Sequence, residues 1–295
     1  MMSGRRPVAP IVSSVARMLE IFDVEPAGNR QFRGVSDGGA RRVVDGSQLL
    51  AQAIVACSKT FPHHTARSAH AVFLRVVDDE RTLRFDVDVL HEGRTFAGAV
   101  VSVVQGERRC ASVTVLMDVE HTDVINHGAE MPPVCPPLDA VPCAMPMEGR
   151  ELRLDGVHDP NDPEDVGPPI LDAWLHYSPV PQDPALAKAL IAHFTGHLSI
   201  STTMRPHRGV GTSMAHDDLS TGVMAISVTF HEPVGWDGWL LYHHESVQVG
   251  RGMAFVRGQV FTEEGTLLAS FSQDGMIRAF TPDASERTKS VAERL

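Results

Sequence analysis

Between residues 11 and 22 apolar side chains return every three or four positions: Ile11, Val12, Val15, Met18, Leu19 and Phe22. That spacing predicts an amphipathic helix docked on a core, with Pro10 tolerated in its first turn. RQFRGVS (30–36) reads as a short strand and GGARRVVDG (38–46) as a turn and approach segment. GSQLLAQAIVACSKTFP (46–62) is mostly apolar, with two internal glutamines and small residues throughout, which predicts a buried helix. From residue 70 the period changes to two. HAVFLRVV, TLRFDVDVLHEGR, TFAGAVVSVVQGER and CASVTVLMDVE are Val-rich, alternating, and separated by glycine or charged turns, so antiparallel strands are expected. One buried helix followed by a run of strands predicts a sheet wrapped around a helix.

Residues 121–169 break this texture. EMPPVCPPLDAVPCAMP and HDPNDPEDVGPP carry prolines without periodicity, so the segment reads as a linker between domains. PALAKALIAHFTGHL (184–198) restores a helical period, and strands are expected at 222–233, 238–249, 251–262 and 266–280. The second half thus repeats the first. Gly93-Arg94 matches Gly250-Arg251, and Ala111-Ser112 matches Ala269-Ser270, with one residue inserted in an intervening turn. The expected organisation is an N-terminal unit over 1–120, the Pro-rich linker over 121–169, a C-terminal unit over 170–282 and a tail over 283–295.

Charge and cysteine usage narrow the partners. Asp and Glu outnumber Lys and Arg by 37 to 26, which argues against general attraction to nucleic acid or to anionic membrane surfaces. Local arginines such as Arg205, Arg208 and Arg251 can still hold phosphates on an acidic protein. Cys57, Cys110, Cys135 and Cys143 form no CxxC and are read as free thiols. Cys135 and Cys143 lack a second ligand pair, so no metal and no cofactor are expected. No apolar run of 18 residues occurs, which excludes membrane insertion through a helix and predicts a cytoplasmic protein.

Several motifs in order resemble the acyl-CoA thioesterase II family. They are MLEIFDVEPAGNRQFRG, RRVVDGSQLLAQAI and HAVFLR in the first half, then RPHRG, TFHEP, WLLYHHES and RGQVFTEEGTLLASFSQDGMIR in the second. The resemblance implies an α+β tandem (double) hotdog fold, with two antiparallel sheets each wrapped around a central helix. It implies hydrolysis of fatty acyl-CoA to free acid and CoA by an activated water, and a place in lipid metabolism. It leaves room for a homo-oligomer. The family's catalytic Asp, hydroxyl residue and Gln fall on Ala225, Val247 and Gln273, so two of the three groups are apolar here.

Gln273 can orient a water but cannot take its proton. Candidate replacement bases lie nearby in sequence. His216, Asp217 and Asp218 precede the strand of Ala225. An extended step of seven residues spans roughly 23 Å, so they reach Gln273 only if a tight turn at Ser220 to Gly222 brings them back. Glu245 shares a strand face with Val247, and Ser246 replaces the lost hydroxyl only if a bulge re-aims it. His231 is read as a strand-end residue, and one of His243 and His244 must point inward. Backbone amides of Gly46, Ser47 and Gln48, at the start of the buried helix, are candidate oxyanion donors, and Val115 is the first-half counterpart of Gln273. Two other readings stay open: an acyl-CoA or fatty-acyl binding protein that has lost catalysis, and a hotdog hydratase or dehydratase, for which Asp45 is the only nearby carboxylate.

Overall fold

The computed structural model describes residues 14–280, apart from 40, 41, 158 and 216. Pro10, Ile11, Val12 and His216 therefore lie outside the described residues. Helix α1 (Val15–Phe22) starts where Ser14 accepts a hydrogen bond from the Arg17 amide, and buries Val15, Met18, Ile21 and Phe22. Helix α2 (Gly46–Thr60) is buried from Ser47 to Cys57. Its two glutamines explain how a polar side chain survives there. Gln52 Nε2 donates to the carbonyls of Ile21 and Val35, both at 2.8 Å, and Gln48 exchanges two hydrogen bonds with the backbone of Asp37. Each glutamine fastens a non-helical approach segment to the helix and satisfies carbonyls that would otherwise be stranded in the interior.

Around α2 run β1 (Glu25–Gly28), β2 (Gln31–Gly34), β3 (Thr65–Phe73), β4 (Leu83–Glu92), β5 (Phe96–Gln105) and β6 (Arg108–Asp118). The second half contributes β7 (Val141–Pro142), β8 (Arg150–Leu154), β9 (Ile170–Tyr177), β10 (Leu219–Phe230), β11 (Trp239–Gly250), β12 (Met253–Thr262) and β13 (Leu267–Ala279). Its helices are α3 (Pro184–Phe194), capped by the Asp183 carboxylate on the amides of Ala185 and Leu186, and the short α4 (Ser199–Met204).

The lateral order is β1-β2-β4-β5-β6-β3-β10-β13-β12-β11-β9-β8-β7. The order β1-β2-β4-β5-β6-β3 recurs as β8-β9-β11-β12-β13-β10, so the sequence repeat is also a repeat of topology. Ala111 sits opposite Val103 and Ala269 opposite Val260, which puts the extra residue in the turn between β12 and β13. The two sheets are not separate. β3 pairs with β10 from Val72 and Ala225 to Ser68 and Thr229, joining the units edge to edge in one antiparallel sheet. Joining there removes two exposed strand edges, and it brings α2 and α3 side by side on one face.

The Pro-rich segment is more than a linker. It supplies β7 and β8 to the outer edge of the second unit, so that unit's sheet begins well before residue 170. The Trp174 indole donates to the Cys135 carbonyl at 2.9 Å, and Ala140 packs with Trp174, Trp239, Leu241 and Phe261. Prolines suit this course, because a strap laid over a sheet face has few ladder bonds to lose. All four cysteines are free; burial raises the Cys57 thiol to about 12 and Cys143 to about 11, so both stay protonated at neutral pH. No helix among the described residues is long and apolar enough to cross a membrane.

Candidate active site

Strand alternation decides which side chains of β11 enter the second unit. Tyr242, His244 and Ser246 are buried, while Glu245 faces the other way and pairs with Arg257 at 2.8 Å. His243 also faces away and meets the Asp172 carboxylate at 2.7 Å. On β13 the inward residues are Phe271 and Gln273. Register then arranges two parallel rows. Ser246, Val256, Gln273 and Ile226 form one across β11, β12, β13 and β10; His244, Gly258, Phe271 and Val228 form the next. Ser246 and Gln273 are two strands apart, roughly 10 Å between Cα atoms.

These rows hold polar groups whose hydrogen-bonding capacity is unspent. Gln273 is 1% exposed, and neither its amide nitrogen nor its oxygen has a partner among the described residues. His244 Nδ1 lies 3.3 Å from the carbonyls of both Leu171 and Tyr242. Both are acceptors, so Nδ1 carries the hydrogen and Nε2 presents a bare lone pair to the interior, where it too is unpartnered. Burial is the main reason that the imidazole pKa falls to about 4, so it is neutral at pH 7. Ser246 Oγ and Thr203 Oγ1 are 3.0 Å apart, and the Thr203 hydroxyl donates to the Ser199 carbonyl. Ser246 must therefore donate to Thr203, which leaves the Ser246 oxygen free to accept.

Helix α4 lies over these rows. Besides Thr203 on Ser246, its Ile200 reaches Gly275 on β13, and the Ser199 hydroxyl is a further buried group with no hydrogen-bond partner among the described residues. These rows therefore hold two N–H donors on Gln273 and acceptors at Ser246 Oγ and His244 Nε2, groups that are each able to hold a water. The first unit has nothing comparable. Val89, Ala99, Val115 and Ala69 occupy the positions of Ser246, Val256, Gln273 and Ile226, and Val87, Val101 and Val113 those of His244, Gly258 and Phe271. Of these equivalent strand rows, only those of the second unit carry polar side chains.

The other residues singled out in the sequence are placed elsewhere. β10 runs unbroken from Leu219, with no turn at Ser220 to Gly222, so Asp217 and Asp218 stay at the far end of the strand from Gln273. Glu245 is on the outer face in its ion pair. A bulge does occur between Ser246 and Gln248; Ser246 faces inward there and Val247 is 49% exposed. Ala225 sits at a second bulge, opposite Asp274. Gly46 is needed for packing, since a Cβ there would stand 2.8 Å from the Phe73 ring. The Gln48 amide already donates to the Asp45 carbonyl, so it is not an oxyanion donor. Ser47 is buried against Gly196. Arg205 donates to the carbonyls of Ile170 and Gly156, Arg208 pairs with Glu164, and Arg251 occupies the tight turn from β11 to β12 with φ +54. His231 meets Ser270 Oγ at 2.8 Å at the end of its strand. Thr203 carries no signal in the sequence, and alternation of the His243-His244 pair is the one signal for His244.

A crevice of about 1160 Å³ opens where the two units meet, bordered by Arg67, Glu120, Lys188 and His231. Lys188 Nζ donates to Thr65 Oγ1 and to the Ala66 carbonyl, both at 2.7 Å, and burial lowers its pKa to about 8. Gln273 does not line this crevice.

Comparison with known proteins settles the family. Residues 130–277 match the model of the acyl-CoA thioesterase C-terminal domain, and residues 37–117 that of the acyl-CoA thioesterase N-terminal domain. The chain belongs to the acyl-CoA thioesterase family. Among relatives of this family, acyl-CoA thioesterase 2 of Haemophilus influenzae is 26% identical over 281 residues, covering 88% of this chain and 96% of that one. Human acyl-coenzyme A thioesterase 8 is 22% identical, covering 90% of each. The fold matches the tesB protein of Mycobacterium avium subs paratuberculosis, with a TM-score of 0.77, 24% identity, and 90% and 99% of the two chains covered. It also matches acyl-CoA thioesterase II of Mycobacterium marinum, with a TM-score of 0.75, 24% identity, and 90% and 98% covered. The double hotdog architecture of this acyl-CoA thioesterase family member is thereby established.

Proposed function

We propose that this protein hydrolyses fatty acyl-CoA to free acid and CoA, with the reaction centred on the polar rows of the second unit. The observation that carries the reading is the buried, unpartnered carboxamide of Gln273, in a row with the Ser246–Thr203 hydroxyl pair, with the bare Nε2 of His244 in the neighbouring row. A water accepts from Gln273 and gives its proton to His244 Nε2 as its oxygen attacks the thioester carbonyl carbon. The tetrahedral intermediate collapses by breaking the C–S bond, and the proton returns from His244 to the departing CoA thiolate. An imidazole with a low resting pKa is a weak base. Its protonated form gains in the transition state from the oxyanion forming beside it in a low-dielectric interior. In this reading α4 must shift to admit the substrate, because it covers the rows.

Release of free CoA thiol from acyl-CoA of graded chain length tests the reading. Gln273→Ala is expected to lower kcat by about 10²-fold, as loss of a positioned donor does. No hydrolysis above buffer at any chain length, together with tight binding of a non-hydrolysable analogue, would leave a binding protein. The apolar Ala225 and Val247 favour that second reading. The four free thiols support a reducing compartment, the cytoplasm. Val72, Leu116 and Phe255 are exposed on the outer face of the sheet and support association of copies; a sedimentation mass equal to one chain at micromolar concentration would count against it.

A further inference from the structure

A second polar cluster lies outside these rows, where α2 begins and α3 ends. Asp45 occupies the N-cap of α2, a position at which aspartate ordinarily accepts from the first free amides, yet its side chain caps nothing. It turns instead toward His197, whose Nε2 stands 3.6 Å from Asp45 Oδ2. His197 Nδ1 lies 3.3 Å from the His193 carbonyl, so the hydrogen sits on Nδ1 and a lone pair on Nε2 faces the carboxylate. Two acceptors thus oppose each other at a separation too long for a hydrogen bond, with no hydrogen between them. His193 completes the cluster: it is 1% exposed, and neither of its ring nitrogens has a partner among the described residues. Asp45 Oδ2 is likewise unpartnered by any hydrogen bond. The ligating atoms of the three residues all lie within 4.8 Å of one another.

We propose that Asp45, His193 and His197 bind a divalent transition metal ion of the zinc type. Ligands about 2.0–2.2 Å from such an ion stand roughly 3.4 Å apart at tetrahedral angles, close to the separation already present between Asp45 and His197. Two imidazoles and a carboxylate are a donor set that suits zinc and its first-row neighbours. The hydrogen bond from His197 Nδ1 to a carbonyl is the outer contact that orients a ligating imidazole. The Arg150 charge acts against a cation here. Its guanidinium donates to the Met145 carbonyl at 2.7 Å and lies 5.8 Å from the Phe194 ring centre, while its Nε has no hydrogen-bond partner among the described residues; the Asp45 carboxylate offsets its charge. Asp45 begins the first unit's helix and the histidines end the second unit's, so the ion fastens one half of the chain to the other.

This site is independent of the proposed hydrolysis, and its test reads metal rather than turnover. Untagged protein stripped with EDTA is titrated with Co²⁺. The expected result is one equivalent bound with the visible bands of a four- or five-coordinate ion, displaced by Zn²⁺, and a Tm that rises by several degrees, of order 5 °C, at saturating metal. Asp45→Asn and His197→Gln, each checked for native circular dichroism, are expected to weaken Co²⁺ by more than the roughly 10- to 100-fold that loss of an outer partner costs. Absence of the Co²⁺ bands at stoichiometric metal, or unchanged Co²⁺ binding in both folded variants, would overturn the proposal.

Discussion

A His244→Gln variant is expected to hydrolyse acyl-CoA on the order of 10²- to 10⁴-fold more slowly than the parent, with little change in KM. Glutamine keeps much of the bulk at this buried position but offers no basic lone pair. A steric role alone would disturb binding and rate together; loss of the base strikes kcat. The pH profile separates the two further. With the pKa of His244 near 4, Nε2 is free throughout the neutral range, so the parent's kcat should be level there and fall as pH drops toward 4. The residual activity of the variant should lack that acid limb. Stability carries the same signature. The folded pKa lies below the ordinary 6.5, so between pH 6.5 and 4 the unfolded chain takes up a proton that the folded chain refuses. Folding stability is therefore highest above pH 6.5 and declines as pH falls through that window, by roughly 3 kcal/mol from this residue. His193, His197 and His231 are displaced in the same direction and add to the decline. Urea unfolding at pH 7 and at pH 4.5 should show a smaller difference for His244→Gln than for the parent. An equal difference in both would mean that His244 titrates in the folded protein as it does in the unfolded chain.

Most of the fold could be read from the chain because its elements follow the periodicities that burial imposes. The three- and four-residue spacing around Met18 and the alternation from Ala97 to Val103 each name the buried face, and the matched pairs at Gly93-Arg94 and Gly250-Arg251 expose the duplication. β8 was hidden in the Pro-rich segment because it is short and its flanks carry the turn signals. The site was less legible. Proximity in sequence pointed to Asp217 and Asp218, but β10 continues through the residues where a turn was required. Alternation along β11 showed that either His243 or His244 faces inward, and only the pairing with β12 and β9 decides between them. Asp45 and the two histidines of α3 and its following turn belong to different halves. Nothing local links them; the packing of α2 on α3 does.

Gly258→Val puts into the second unit the residue that the first unit already has, Val101, at the equivalent place. Val101 is fully buried between Val87 and Val113. At Gly258 the neighbours are His244 and Phe271 instead, and the Phe271 ring leans across the glycine to meet the imidazole edge-on with centroids 5.2 Å apart. A Cβ there would stand 2.6 Å from Phe271 Cε1 and closer still to the ring tip and the His243 carbonyl. Phe271 can rotate; the carbonyl is part of the ladder and cannot without breaking it. Gly258→Val is therefore expected to cost about 3 kcal/mol or more, at or above the upper end for an overpacked core, read as a fall in the urea midpoint with unchanged m. Adding Phe271→Val, which recreates more of the first unit's row, should restore part of that loss, with a coupling energy of roughly 1 kcal/mol or more in a double-mutant cycle. Strictly additive costs would show that the ring and the glycine do not share this space. The double variant is expected to be inactive even as it regains stability, because a valine row packs well around an imidazole whose aromatic support, and with it the aim of Nε2, is gone. The duplicated chain has two equivalent interiors, and the glycine marks where one of them packs an imidazole and a phenyl ring in place of valines.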